Sequence, residues 1–245
     1  MKILCGMEFS GAVRRAFRER GHDAWSCDLL PAADGSPYHI QGDVFDVIYV
    51  QHWDGAIFHP SCTYLTISAE WAYKEPDFKR YPGVGYHQKV KPTTLTGAAR
   101  RDARELALAD FMGLWQCPIP RVVIENPRGV VPTHLGIKPT QTIQPYQFGE
   151  DASKATCLWI RGWPKLTPTR NVQGRTVEWP KGSGRYYERW ANQTDSNQNK
   201  LTPSADRWAE RSKTYPGIAA ALAEQLGGSP AAVHTPAAAR RPSAR

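Results

Sequence analysis

The stretch that decides the fold is residues 2–28, KILCGMEFSGAVRRAFRERGHDAWSCD. Lys2 to Met7 reads as a short apolar strand, and Gly6 to Gly11 makes a glycine-bounded turn after it. Val13, Ala16 and Phe17 then recur at helical spacing, which predicts a helix over 10–20 with Ser10 as its cap and Gly21 just past its end. A second strand over 23–28 closes on Asp28. Strand, turn, helix and strand in so short a span form the repeating unit of a parallel sheet with helices on its faces.

The same alternation continues along the chain. Gly55-Ala56-Ile57-Phe58 is a third buried strand and exits into His59-Pro60-Ser61-Cys62; the connection before it, around Gly42-Asp43, has too little periodicity to define an element. A helix carrying Ala103, Ala107, Phe111 and Leu114 on one face stops at Pro118. The apolar strand over 121–125 then exits into Glu125-Asn126-Pro127. Residues 156–162 read as a further strand late in the sheet, and 216–226 as a helix with Pro216 in its first turn and Ile218, Leu222 and Leu226 on one face. The expected architecture is α/β: a Rossmann-like, mostly parallel sheet with helices on both faces.

Composition bounds what such a chain does. With 245 residues, 41% of them hydrophobic and 22% charged, it fits one main globular domain. It has no apolar run of membrane-spanning length and no secretory signal pattern at Met1-Lys2-Ile3-Leu4-Cys5, so a cytoplasmic location is expected. Thirty-one Lys and Arg against 23 Asp and Glu give +8, of which Arg240, Arg241 and Arg245 supply +3 near the C-terminus, leaving +5 for the rest. That balance favours a polyanionic partner. The five cysteines include no C-x-x-C pair, which argues against a disulfide framework or zinc ribbon and leaves room for a single working thiol.

Between Trp71 and Arg104 regular patterning fades, and Lys74, Lys79, Arg80, Lys89, Lys91, Arg100, Arg101 and Arg104 interleave with Tyr73, Phe78, Tyr81, Tyr86 and His87. Cations neutralise phosphates and rings stack on bases, so this segment is the candidate nucleic-acid contact; a solvated loop is the alternative. Open parallel sheets bind ligands beyond the carboxyl ends of their strands. Four such ends carry reactive or polar groups: Glu8-Phe9-Ser10-Gly11 leading into a helix whose backbone N–H groups point outward, Asp28 at the distance of a ribose-binding acid, Cys62 after Pro60, and Glu125.

Phe9-Ser10-Gly11, Asp28, Gly42-Asp43, Pro60-Ser61-Cys62 and Glu125-Asn126-Pro127, in this order, resemble the motifs of the S-adenosylmethionine-dependent cytosine-5 DNA methyltransferases. The likeness is closest to a compact group often encoded by bacteriophages, whose cysteine motif reads His-Pro-Pro-Cys-Thr-Tyr-Leu where this chain has His59-Pro60-Ser61-Cys62-Thr63-Tyr64-Leu65. It covers roughly residues 3–166 and the helix near Pro216-Gly217-Ile218. The resemblance implies a sheet of the class I methyltransferase type and S-adenosylmethionine as cofactor, with Phe9, Ser10 and Gly11 along its methionine and adenosine, Asp28 and Leu29 at its ribose side, Asp43 at the adenine amino group, and Pro60 lining the site. It further implies Cys62 as nucleophile on cytosine carbon 6 and Glu125 at ring nitrogen 3, with DNA as substrate. Lys154 is the candidate for cationic support, because the family's late Gln-x-Arg-x-Arg is not found; its alternative is a solvated lysine. Val13 and Ser61 depart from the family pattern.

The expected division is a cofactor-binding and catalytic domain over 1–166, a small irregular region over 167–205 as a reduced target-recognition segment, a C-terminal helix over 206–226 packing back on the core, and a disordered Ala/Pro/Arg tail over 227–245. A monomer without a protein partner is expected, in the bacterial host cytoplasm if the chain is phage-encoded, with restriction-modification among its roles. Three other readings stay open. One is an amino-group DNA methyltransferase, although His59-Pro60-Ser61-Cys62 lacks its Asp/Asn-Pro-Pro-aromatic pattern; another is a catalytically inactive DNA-binding scaffold; the third is a metal site using His59 and Cys62, which lacks a second ligand pair.

Overall fold

The structure is a computed structural model that describes residues 1–67, 70–75, 94–201 and 212–228. Its central sheet contains β1 (Lys2–Gly6), β2 (Asp23–Asp28), β3 (His39–Gln41), β4 (Gly55–Phe58), β5 (Val122–Pro127), β6 (Gln141–Ile143) and β7 (Thr156–Arg161) in the order 3-2-1-4-5-7-6. β3, β2, β1, β4 and β5 are parallel, and β7 runs antiparallel between β5 and β6. This is a Rossmann-like, mostly parallel α/β sheet. Among the described residues its α-helices are α1 (Ala12–Glu19), α2 (Val44–Ile48), α3 (Gly97–Gln116), α4 (Val131–Leu135) and α5 (Pro216–Gly227).

Alternation along each strand feeds two separate cores, which is why the strands read as continuous apolar runs. Ile3, Cys5, Ile57, Val123, Leu158 and Ile160 pack with Val13 and Phe17 of α1 and Ile218, Leu222 and Leu226 of α5. Leu4, Ala56, Phe58, Val122, Ile124 and Trp159 point the other way, onto Val44 and Ile48 of α2 and Phe111 and Leu114 of α3. The Phe111 and Trp159 rings meet edge-on at 5.0 Å between centroids.

The details differ from the sequence reading in instructive places. β3 and α2 occupy the connection around Gly42-Asp43; three and five residues long, they are too short to show a period. α3 already begins at Gly97, so Arg100, Arg101 and Arg104 are helical rather than part of a loop. Ser10 is not the helix cap, a place taken by Gly11 in the left-handed conformation at φ 68°. The stretch 167–205 contains a hairpin, β8 (Arg175–Glu178) paired antiparallel with β9 (Tyr186–Arg189). Beyond it, Trp190 is buried, stacks on Tyr146 at 4.1 Å and donates its indole N–H to the Val172 carbonyl at 3.0 Å. The expected tail lies outside the described residues from 229 onward, as do residues 206–211 ahead of α5.

Candidate active site

The exit of β1 is built around an internal carboxylate. Met7 takes a positive φ of 59°, and Glu8 behind it is only 4% exposed. The Glu8 carboxylate accepts from the backbone N–H of Val13 at 2.8 Å, from Arg14 at 3.3 Å and from the Ser10 hydroxyl at 3.2 Å, while Ser10 Oγ accepts from Ala12 N–H at 3.3 Å. The first-turn amides of α1, expected to point outward, are thus satisfied from within, because a carboxylate favours the positive end of a helix. Val13, at the family's glycine position, is wholly buried beneath this turn. The loop after β2 folds over it: Ala33 N–H donates to the Phe9 carbonyl at 2.9 Å, and Asp34 takes hydrogen bonds from both Arg14 and Arg15. Asp28 Oδ1 accepts from Leu30 N–H at 2.9 Å, and Leu29 beside it is 71% exposed. Asp43 is the N-cap of α2, accepting from Phe45 N–H at 2.9 Å.

The exits of β4 and β5 lie side by side because Phe58 and Ile124 are register partners. His59 Nδ1 is 3.4 Å from Glu125 Oε2, with the two side chains 8% and 19% exposed. Burial favours the neutral acid at Glu125, but the hydrogen bond from His59 and the Lys154 charge outweigh it and hold the carboxyl below its ordinary value. Asn126 donates to the Pro60 carbonyl at 2.8 Å, while its Oδ1 and His59 Nε2 are buried with no hydrogen-bond partner among the described residues. Cys62 is exposed and in no disulfide, whereas Cys5, Cys27, Cys117 and Cys157 are all buried. Its carbonyl accepts from Leu65 and Thr66 N–H, both at 3.1 Å, in a tight turn. That turn leans on the β5 exit, where Val130 N–H donates to the Leu65 carbonyl at 2.8 Å. A Cβ on Gly129 would collide with that same carbonyl, so the close approach requires glycine.

A cleft of about 920 Å³ joins the first exit to Lys154; Ser10, Ser153, Asn192 and Tyr215 line it together with the cations Arg15, Lys154, Lys200 and Lys213. The segment after the hairpin forms part of its wall, held by Ala191 N–H to Asp151 at 2.9 Å and by reciprocal Asn192–Ser153 bonds at 2.9 and 3.0 Å.

Phe9, Ser10, Gly11, Leu29, Asp43, Pro60 and Cys62 lie just beyond the carboxyl ends of the parallel strands and Asp28 and Glu125 within those ends, and Lys154 sits close enough to Glu125 to act on its charge. The predicted DNA-contacting cations fare differently. Lys74 is exposed, and Lys79, Arg80, Lys89 and Lys91 lie outside the described residues. Arg100, only 6% exposed, is turned inward on protein carbonyls and rings, and Arg101 donates to the Tyr73 carbonyl at 2.7 Å and pairs with Glu75 at 3.3 Å. Arg100 is thus committed to protein carbonyls, whereas the exposed Arg101 keeps about half of its side chain open to solvent. The roles of Glu8 and Asn126 had no signal in spacing, since both act on backbone remote in sequence or reached only through the turn.

No family model and no curated protein matches the chain. Among solved structures, an E. coli prophage-encoded protein described provisionally as a DNA modification methyltransferase aligns with 12% identity and a TM-score of 0.42. The match covers 69% of this chain and 51% of that one, so this chain spans about half its length. A superposition that loose carries no functional weight.

Proposed function

We propose that the chain is an S-adenosylmethionine-dependent DNA methyltransferase acting on carbon 5 of cytosine. The observation that carries this reading is an exposed Cys62 in the turn after β4 and a half-buried, His59-bonded Glu125 near the end of the neighbouring β5. Carbon 5 of cytosine is too weak a nucleophile to take a methyl group unaided. The Cys62 thiolate adds to carbon 6, forming a C–S bond and pushing an electron pair toward ring nitrogen 3. Glu125 supports that charge by placing a proton at the nitrogen. Because His59 and Lys154 favour the ionised form of Glu125, the proton has to reach it, and the His59 imidazole is the group in contact with it. After transfer, solvent takes the carbon 5 proton as the C6–S bond breaks, which expels the Cys62 thiolate and restores the aromatic ring, and the ring-nitrogen proton returns to Glu125.

The residues at the other strand ends fit the cofactor. With the α1 amides taken by Glu8, the turn offers no cradle for a pyrophosphate. Asp28 would hold ribose hydroxyls, Leu29 offers an apolar cover for the adenine, and Asp43 stands at the next strand end. When bound, S-adenosylmethionine supplies an electrophilic methyl group. The four cations of the cleft suit the phosphates of a strand whose target base has left the stack.

The test is incubation of the protein with DNA and labelled S-adenosylmethionine, followed by nucleoside analysis. The expected result is 5-methylcytosine, abolished by Cys62→Ala and reduced by roughly a hundredfold or more by Glu125→Gln. No product with the unaltered protein, or full product with Cys62→Ala, overturns the proposal. DNA containing 5-fluorocytosine is expected to trap a covalent complex, which an inactive scaffold would not form.

A further inference from the structure

The turn that carries Cys62 rests on two buried guanidinium groups. Arg100 donates to the Thr63 carbonyl at 3.5 Å and the Leu95 carbonyl at 3.4 Å; Arg104 donates to the Tyr64 carbonyl at 3.0 Å and the Thr66 carbonyl at 3.5 Å. Both come from α3, one helical turn apart, and are 6% and 9% exposed. Tyr73 lies under the pair, 3.5 Å from the Arg104 guanidinium carbon and 4.8 Å from that of Arg100, and its hydroxyl donates to the Tyr64 carbonyl at 3.1 Å. The Tyr64 ring faces Arg100 at 5.3 Å.

The charges around this turn do not balance evenly. Arg104 is matched by Glu70 at 2.6 Å, Arg101 by Glu75, and Glu125 by His59 and Lys154. Among the described residues, Arg100 meets only carbonyls and aromatic faces, and its Nε is buried with no hydrogen-bond partner. A desolvated cation compensated only by dipoles and ring faces projects a positive field that water screens poorly. The residue bonded to it, Thr63, directly follows Cys62.

We propose that Arg100, braced by Arg104, is a positioning and electrostatic residue for Cys62: it fixes the turn and supplies the field that stabilises the thiolate. A cation beside a thiol favours its ionised form, which is the reactive one. This cationic support lies on α3, ahead of Lys154 in the chain.

The inference rests on Cys62 as the nucleophile, but its test needs neither DNA nor cofactor. Iodoacetamide alkylation, in which the thiolate displaces iodide, is followed against pH on the full chain; with the other cysteines buried, it reports Cys62. The expected midpoint lies below the ordinary thiol value of about 8.5. Arg100→Met is expected to raise it and slow alkylation at neutral pH roughly three- to tenfold, and Arg100→Lys to recover most of the loss. Lys154→Met is expected to keep the lowered midpoint. An ordinary midpoint in the unaltered protein overturns the inference even if Arg100→Met fails to fold. So does an unchanged midpoint in folded Arg100→Met, or an ordinary midpoint on Lys154→Met alone. An Arg100-dependent midpoint in a protein that makes no 5-methylcytosine would instead overturn the proposed function and leave this inference standing.

Discussion

Asp34 sits in the loop that folds over the β1 exit, where Arg14 is 1% exposed and Arg15 is open to solvent. Burial raises the Asp34 carboxyl, but hydrogen bonds from the two arginines outweigh it and bring it from 3.8 down to about 2. The sign follows: the folded value lies below the unfolded one, so the contact contributes fully above the unfolded value and fades as pH falls through about 2. Urea midpoints of the unaltered protein and Asp34→Asn are expected to differ by a constant amount from neutral pH to mild acid, and to converge toward the lower value. A gap that widened in acid would contradict the assignment. The buried Arg14 also donates to Ser26 Oγ at 2.8 Å, and Ser26 Oγ is 2.8 Å from His39 Nδ1, so one side chain ties α1, β2 and β3 together behind the proposed cofactor site.

At the scale of elements, the Cys62 turn is gripped from two sides, by the α3 arginines and by the Gly129–Val130 segment after β5. Gly129→Ala places a methyl group on the Leu65 carbonyl and is expected to destabilise the protein by about 2 kcal/mol, as overpacking does. Urea unfolding measures the loss. Covalent trapping on 5-fluorocytosine DNA is expected to fall while S-adenosylmethionine affinity, measured by calorimetry, holds within about threefold, because the clash falls on the Leu65 carbonyl of the Cys62 turn and not on the residues of the β1 exit. The sequence disclosed much of this. Strands β1, β4 and β5 were legible because burial on both faces writes a nearly unbroken apolar run, with a polar group marking each exit, and β2 because Gly21 ends the helix before it and Asp28 closes it. Arg100 and Arg104 were misplaced because a buried guanidinium and a solvated one are written with the same letter, and only the carbonyls of Thr63 and Tyr64 tell them apart. Glu8 was legible as part of a turn but not as the internal cap of α1, since its partners Val13 and Arg14 become neighbours only once Met7 has turned the chain.

Across the whole molecule, the C-terminal helix closes the face on which α1 lies. Leu222 of α5 is 2% exposed and packs in the core that includes Phe17 and Ile57, while Tyr215 and Pro216 at the start of that helix line the cleft. Leu222→Ala is expected to cost about 3 kcal/mol, within the range for emptying a buried leucine site, and to weaken cofactor binding as well. Thermal unfolding with and without S-adenosylmethionine separates the two effects; a full ligand-induced rise in midpoint would show that the cleft is indifferent to how α5 packs. The hairpin of β8 and β9 stands in a different relation to the rest. Its base is tied by Trp190, Asn192 and the Arg175–Asp195 pair, whereas Trp179, Tyr186 and Tyr187 toward its tip are 42%, 66% and 42% exposed. Substitutions toward the tip leave both cores untouched, so lineages descending from this chain are free to change the arm faster than the fold that carries it.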